Sequence, residues 1–335
     1  MTTTRTEPAL ARTAPERGFA GSFLHVKELG VVGAVVVVFA AFSFANPNFA
    51  SGDNLQTMGV DLAQYGLLAL GVSFVIITGG IDLSVGSVVA LSGVWSAWLN
   101  VHAGLPDVVA IVVTLLTGVA IGLVHGFAVT FLGLPPFVTT LVTLVAARGA
   151  ALALTQGFPI DGIGDAFGSI AQYRLAGVPV PALLFVGACV AAFFFLERTH
   201  VGRQVYAVGG NAEAARLAGI RTRRRIILTY VVSSTCAAAV GILVTARLTV
   251  GQPGVAVGWE LNAIAAAVIG GISLSGGVGR VLGVAFGAIL LVCINSGLVI
   301  LHVSPYYQQI VLGAVLAVAI VTDRLRARRS ERLQS

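Results

Sequence analysis

The chain is 335 residues long, 57% hydrophobic and only 10% charged, with a formal net charge of +6. A soluble domain carries about 25% charged residues, so an ordinary water-surrounded globular fold is excluded and lipid becomes the solvent to reason against. The positive excess lies beside apolar runs and not along one face, which speaks for membrane topology and against a nucleic-acid partner.

Residues 1–27 are polar, with Pro8 and Pro15, the basic residues Arg5, Arg12, Arg17 and Lys27, and no periodicity. Such a segment is expected to be a disordered cytoplasmic tail. It does not read as a cleavable signal peptide, because the first apolar run begins only near Leu29 and lacks a small-x-small exit. A transmembrane domain is expected over 28–323. A hydrocarbon core about 30 Å thick takes about 20 apolar residues per helix. The segments that fit are 29–45, 60–78, 83–100, 108–130, 137–155, 180–196, 226–246, 260–276, 281–301 and 306–322. The predicted fold class is an all-α polytopic membrane protein with about ten transmembrane helices. No Lys or Arg occurs between Lys27 and Arg148, in keeping with helices where a central charge costs about 2.5–3.5 kcal/mol. The 83–100 and 260–276 segments are rich in Gly and Ser, which leaves a broken or re-entrant path open for each.

A second basic cluster occupies the 197–225 loop (Arg198, Arg203, Arg216, Arg221, Arg223, Arg224 and Arg225), and a third the 324–335 tail (Arg324, Arg326, Arg328, Arg329 and Arg332). Six expected spans precede the loop and four follow it. Both numbers are even, so the N terminus, the loop and the C terminus all fall on the cytoplasmic side, where positive charge is retained. Trp95, Trp98, Trp259, Tyr306 and Tyr307 then lie at the outer interface, either as an aromatic belt or as rings on which a sugar stacks. Cys189, Cys236 and Cys293 each sit inside an apolar run, without metal-ligand or redox spacing, and read as small buried hydrophobes.

Two Gly-rich stretches echo one another. Gly79-Gly80-Ile81-Asp82-Leu83-Ser84-Val85-Gly86 and Gly270-Gly271-Ile272-Ser273-Leu274-Ser275-Gly276-Gly277 agree at six of eight positions, and transporters often carry such breaks at matching places in a repeat. Asp82 is an acid inside one break, which makes it a functional candidate. With Ser84 it either lines a path for a polyhydroxy solute or caps the helix that follows. Arg148, the lone basic residue of the fifth span, can snorkel, pair with a carboxylate or face the same path. Asn295 is a further pathway candidate, and Asp61 and Asn262 are other polar positions to watch.

The loop itself holds a short folded element. Asn211 is a good N-cap, Glu213 sits in the first turn where the helix dipole favours an acid, and Gly219 is a natural stop. A helix of about two turns is predicted outside the membrane. Its spelling, Glu213-Ala214-Ala215-Arg216-Leu217-Ala218-Gly219, resembles the coupling loop of ATP-binding cassette importers. Together with Thr78–Ser87 and Gly270–Gly277 it makes nearly the whole chain, from about residue 30 to 322, similar to the permease subunits of the bacterial ribose/xylose/galactose type. One departure is that Thr229-Tyr230-Val231-Val232 stands where the broader importer pattern has Ile-x-Leu-Pro, an ending that sugar permeases of this type commonly lack.

The resemblance implies a role in docking an ATPase for Glu213, Ala214, Ala215 and Gly219, with Asn211 capping their helix. It also implies a set of partners: a cytoplasmic ATPase subunit holding ATP and Mg, an extracytoplasmic sugar-binding protein, and a second permease copy or paralogue, all at a bacterial inner membrane. The cargo would be a monosaccharide. The chain itself is expected to bind no cofactor and to be no enzyme. A P-loop needs a Lys behind its glycines, and the only Lys, Lys27, follows none. The rival reading is a secondary transporter driven by an ion gradient. It leaves the Glu-Ala-Ala-x-x-x-Gly helix unexplained, and it would favour acids deeper in the spans than Asp61, Asp82 and Asp107.

Overall fold

The computed structural model describes residues 26–332, almost entirely as helices. The expected tail over 1–27 therefore lies, up to residue 25, outside the described residues. In chain order the helices are α1 (Val26–Ala45), α2 (Gly52–Ile77), α3 (Val85–Val101), α4 (Asp107–Thr130), α5 (Pro136–Thr155), α6 (Asp165–Gln172), α7 (Val180–Phe193), α8 (His200–Gly210), α9 (Ala212–Leu217), α10 (Thr222–Leu248), α11 (Trp259–Ile269), α12 (Val281–Ile300) and α13 (Pro305–Arg332). Among the described residues six helices are long and apolar enough to cross a bilayer: α2, α4, α5, α7 with its continuation to Arg198, α10 and α12. The chain is an all-α polytopic membrane protein. α13 carries the helix through the basic C-terminal segment as far as Arg332.

Three of the expected spans are shorter apolar helices, Leu29–Ala45, Val85–Val101 and Trp259–Ile269. The 260–276 segment forms a helix only over Trp259–Ile269, and eleven residues rise about 16 Å, roughly half the hydrocarbon thickness. Its end is set by Gly271, at φ +90°. The Gly271 N–H donates to Val268 O and Ile272 N–H to Ala267 O, the paired closure that a left-handed residue makes at a helix terminus. By contrast, α3 is continuous, although its sequence is equally small and polar.

α10 is the central pillar, packed on α2, α3 and α4. Helices in lipid gain little from hydrophobicity alone and associate through small residues that let backbones approach. On α4, Gly118, Gly122 and Gly126 are spaced by four. A β-carbon added at Gly122 would stand 2.6 Å from the carbonyl oxygen of Tyr230 on α10. Ser233, Ser234, Ala237 and Ala238 of α10 are fully buried. The faces of α4, α5 and α7 turned away from this pillar expose Val, Leu and Phe, as lipid-facing surfaces should.

At one end of the bundle, α6 is followed by a two-residue antiparallel ladder, β1 (Arg174–Leu175) with β2 (Val178–Pro179). Ala176 and Gly177 both have positive φ, +50° and +83°, which is the turn that a two-residue hairpin loop prefers. Neither α6 nor this hairpin is anticipated from the sequence. The same end is tied together by a bridge between Ile160 and Gly251 and by Asn100, whose amide donates to Asp107 at 2.7 Å. The opposite end gathers the C-terminus of α2, α8, α9, the start of α10 and the 270–280 segment.

Candidate functional site

α7 ends in a π-helical turn over Phe194–Arg198, and Thr199 then leaves helical geometry. Its Oγ1 accepts the Gly202 N–H at 3.0 Å and starts α8. This helix is missed by sequence reading, which gives the 197–225 loop only one short helix, the one that follows Asn211. The available signal was the Thr199 cap followed by Val201, Val205 and Val208 at spacings of four and three. Val205 and Val208 are buried against the bundle. Asn211 closes α8, its N–H donating to Ala207 O. It also caps α9, accepting the Ala214 N–H on Oδ1 at 2.9 Å. No linker separates the two helices beyond this single residue.

α9 is six residues long and ends at Gly219, φ +82°, where Gly219 N–H meets Arg216 O and Ile220 N–H meets Ala215 O. Glu213 and Arg216 form a two-pronged pair at 2.6 and 3.0 Å. The Arg216 hydrogen bonds hold the Glu213 carboxyl below its ordinary range. The pair therefore operates at neutral pH and is lost as pH falls through that depressed value. The predicted coupling residues part company here. Glu213 and Ala214 face outward with Arg216 and the 76%-exposed Leu217, whereas Ala215 is buried. Leu217, an apolar side chain on an otherwise charged knob, was not among the sequence candidates. An Asn211→Ala variant is expected to cost α9 about 1 kcal/mol. Amide exchange over 212–217 should accelerate while α10 stays protected, and unchanged exchange would remove Asn211 from the role of cap.

Behind this knob lie the two breaks. α2 ends at Gly79, φ +80°, with Gly79 N–H on Ile76 O and Gly80 N–H on Val75 O. The chain then runs without regular secondary structure to Ser84. Asp82 is completely buried. Its Oδ1 accepts the Ser84 N–H (3.0 Å) and Ser84 Oγ–H (2.6 Å), and its Oδ2 accepts Ser233 Oγ–H from α10 (2.7 Å). Asp82 thus forms an Asx turn into α3 and bolts that turn to the central pillar. Ser84 is equally enclosed, and Thr140 of α5 donates to Ile81 O at 3.2 Å.

The second break does not copy the first in register. The echo sets Gly79 opposite Gly270, yet the left-handed terminus of α11 falls on Gly271. The ten residues from Gly271 to Arg280 then pass through positive φ at Gly276 and Gly277 before α12 begins. The two breaks touch: Gly277 N–H donates to Ile77 O at 2.8 Å.

The other candidates lie apart. Arg148 donates from Nη1 to Pro253 O (2.8 Å) and Val255 O (2.7 Å) and reaches Gly86 O with Nη2 (3.5 Å). It therefore addresses the same end of α3 as Asp82, while latching the loop that precedes α11. Asn295 is on α12, where its Oδ1 has no hydrogen-bond partner among the described residues. Its neighbour Ser296 bonds Asn54 of α2. Asp61 pairs with Arg247.

With this geometry in view, comparison with known proteins is decisive. Residues 54–320 match the family described as branched-chain amino acid transport system / permease component. The chain belongs to this permease family. The permease is 38% identical over 304 residues to the ribose import permease protein of Bacillus subtilis (strain 168), covering 90% of this chain and 94% of the relative. It is 35% identical to the D-allose transport system permease protein of Escherichia coli (strain K12), over 87% and 90% of the two chains. To the L-arabinose transport system permease protein of the same strain it is 34% identical, over 93% and 95%. No solved structure matches it. The resemblance read from Thr78–Ser87, Glu213–Gly219 and Gly270–Gly277 therefore holds at the level of the whole chain. The permease is a transmembrane, non-catalytic subunit of an ATP-binding cassette importer, with ATP hydrolysis on a separate subunit.

Proposed function

We propose that the permease moves a monosaccharide inward across a bacterial cytoplasmic membrane, as one of two permease chains in the complex. In this reading ten membrane segments, α11 being the half-length one, leave both termini and the 197–225 loop in the cytoplasm. A cytoplasmic ATPase subunit carrying ATP and Mg docks on α9, and an extracytoplasmic binding protein delivers the sugar to the hairpin-bearing end. The observation that carries the proposal is α9 itself: a rigid, doubly capped helix that offers Glu213, Ala214, Arg216 and Leu217 outward while Ala215 roots it in the bundle. The sugar class is supported by the ribose, allose and arabinose named for the relatives.

The test is purification in mild detergent from native membranes, followed by assay for ATP hydrolysis and for retention of labelled ribose, arabinose and allose in vesicles. A co-purifying ATPase, lost on Glu213→Ala with Leu217→Ala, is the expected result. Elution of the permease alone, with uptake driven by an imposed ion gradient, would replace this reading with a secondary transporter.

A further inference from the structure

Between α9 and the two breaks lies a contact made of backbone alone. Gly209, in the last turn of α8, rests directly on the carbonyl of Ile77, the last residue of α2. A β-carbon there would overlap that oxygen and stand 2.6 Å from Gly277 N. A β-carbon on Gly277 would be 2.7 Å from Gly210 Cα, and one on Gly276 would be 3.0 Å from Gly79 N. The Gly277–Ile77 hydrogen bond closes the triangle. On the flank, Tyr206 of α8 donates its hydroxyl to Gly279 O at 2.9 Å, and Glu197 pairs with Arg280 at 3.6 Å.

We infer that this joint, with Gly209, Gly277 and Tyr206 as positioning residues, carries movement of α9 simultaneously into both membrane breaks. The inference rests on the importer reading and deepens it. Side chains are compliant because they change rotamer; abutting peptide planes are not. Asn211 passes any displacement of α9 to α8 without slack, since it ends one helix and caps the next. From Gly209 the contact divides. Through Ile77 it reaches the irregular segment that leads, five residues on, to Asp82 and hence to α3 and α10. Through Gly277 it reaches Gly279, Arg280 and the start of α12.

The experiment uses the permease–ATPase complex in membrane vesicles, with Cys189, Cys236 and Cys293 replaced by Ala and Leu83→Cys as a reporter in the first break. Maleimide labelling at residue 83 is compared with and without Mg-ATP plus vanadate. The unaltered joint is expected to change the labelling rate on nucleotide trapping. Gly209→Ala should abolish that response, and Tyr206→Phe, which keeps the ring and removes one hydrogen bond, should reduce it about fivefold, while both complexes still hydrolyse ATP. A nucleotide response at residue 83 that survives both substitutions overturns the inference, as does an unaltered complex with ATPase activity and no response at all. Absence of any ATPase from the unaltered complex would instead overturn the importer reading on which it rests.

Discussion

Asp82→Ala is expected to leave almost no permease that elutes as a monodisperse species in detergent. The carboxylate accepts three hydrogen bonds, one of them from the Ser84 backbone, and all its partners are fully buried. A hydrogen bond to a charged group contributes about 1.5–3 kcal/mol, and here no water can take the place of the lost acceptor. The cost is therefore on the order of 3–5 kcal/mol, set against a total stability of about 5–15 kcal/mol. Asp82→Asn retains one oxygen for the Ser84 donors, and its amide can donate to Ser233 Oγ in place of accepting from it, so only about 1 kcal/mol is at stake and folded protein should be recovered. Gel filtration of the two variants side by side reads the difference. If Asp82→Ala elutes like the unaltered permease yet transports nothing, Asp82 belongs to the solute path and not to the turn.

Arg148→Ala should release the loop before α11. Two carbonyls, Pro253 O and Val255 O, lose a charged donor, and Glu260, the carboxylate that interacts electrostatically with Arg148, loses its cation. The expected loss is about 2–4 kcal/mol, from two charge-assisted bonds. It should appear locally, as fast amide exchange over 251–260, before the helices respond. Arg148→Lys is expected to recover part of it, because Pro253 O and Val255 O are both reached from the single nitrogen Nη1, while the Gly86 O contact of Nη2 is lost. Exchange over 251–260 that is unaltered in Arg148→Ala would show that the loop is held from elsewhere.

The joint at Gly209 places these two side chains in a common frame. Asp82 and Arg148 both secure the start of α3, one from the first break itself and the other from α5. A displacement at α9 reaches the first of these through Ile77. The second meets the same start of α3 from α5 and joins it to the loop ahead of α11. Ser233 and Asp82 thus tie the turn ahead of α3 to α10.

Much of this architecture was legible in the sequence, and for a definite reason. Lipid imposes a uniform requirement on every spanning segment, so apolar length alone located the helices that became α2, α4, α5, α7, α10 and α12. Asn211, Glu213 and Gly219 determined α9 locally, because a cap and a left-handed terminus act within one turn of backbone. Long-range contact decided the rest. α11 stops at Ile269 and not at residue 276, since the backbone groups freed beyond Gly271 are satisfied by partners distant in sequence: Gly277 N–H finds Ile77 O. The register of the two glycine breaks differs by one residue because each terminus answers to its own surroundings and not to the shared spelling. α8 carried its signal in the Thr199 cap and the valine spacing, but only the bundle shows the core that Val205 and Val208 enter. Asp82, read from sequence as an acid near a membrane boundary, acquired its meaning only when Ser233, 151 positions away, closed over its second oxygen. Hydropathy and capping are short-range properties that a sequence states by itself; the satisfaction of a buried polar group depends on which remote atom arrives, and tertiary structure alone determines that.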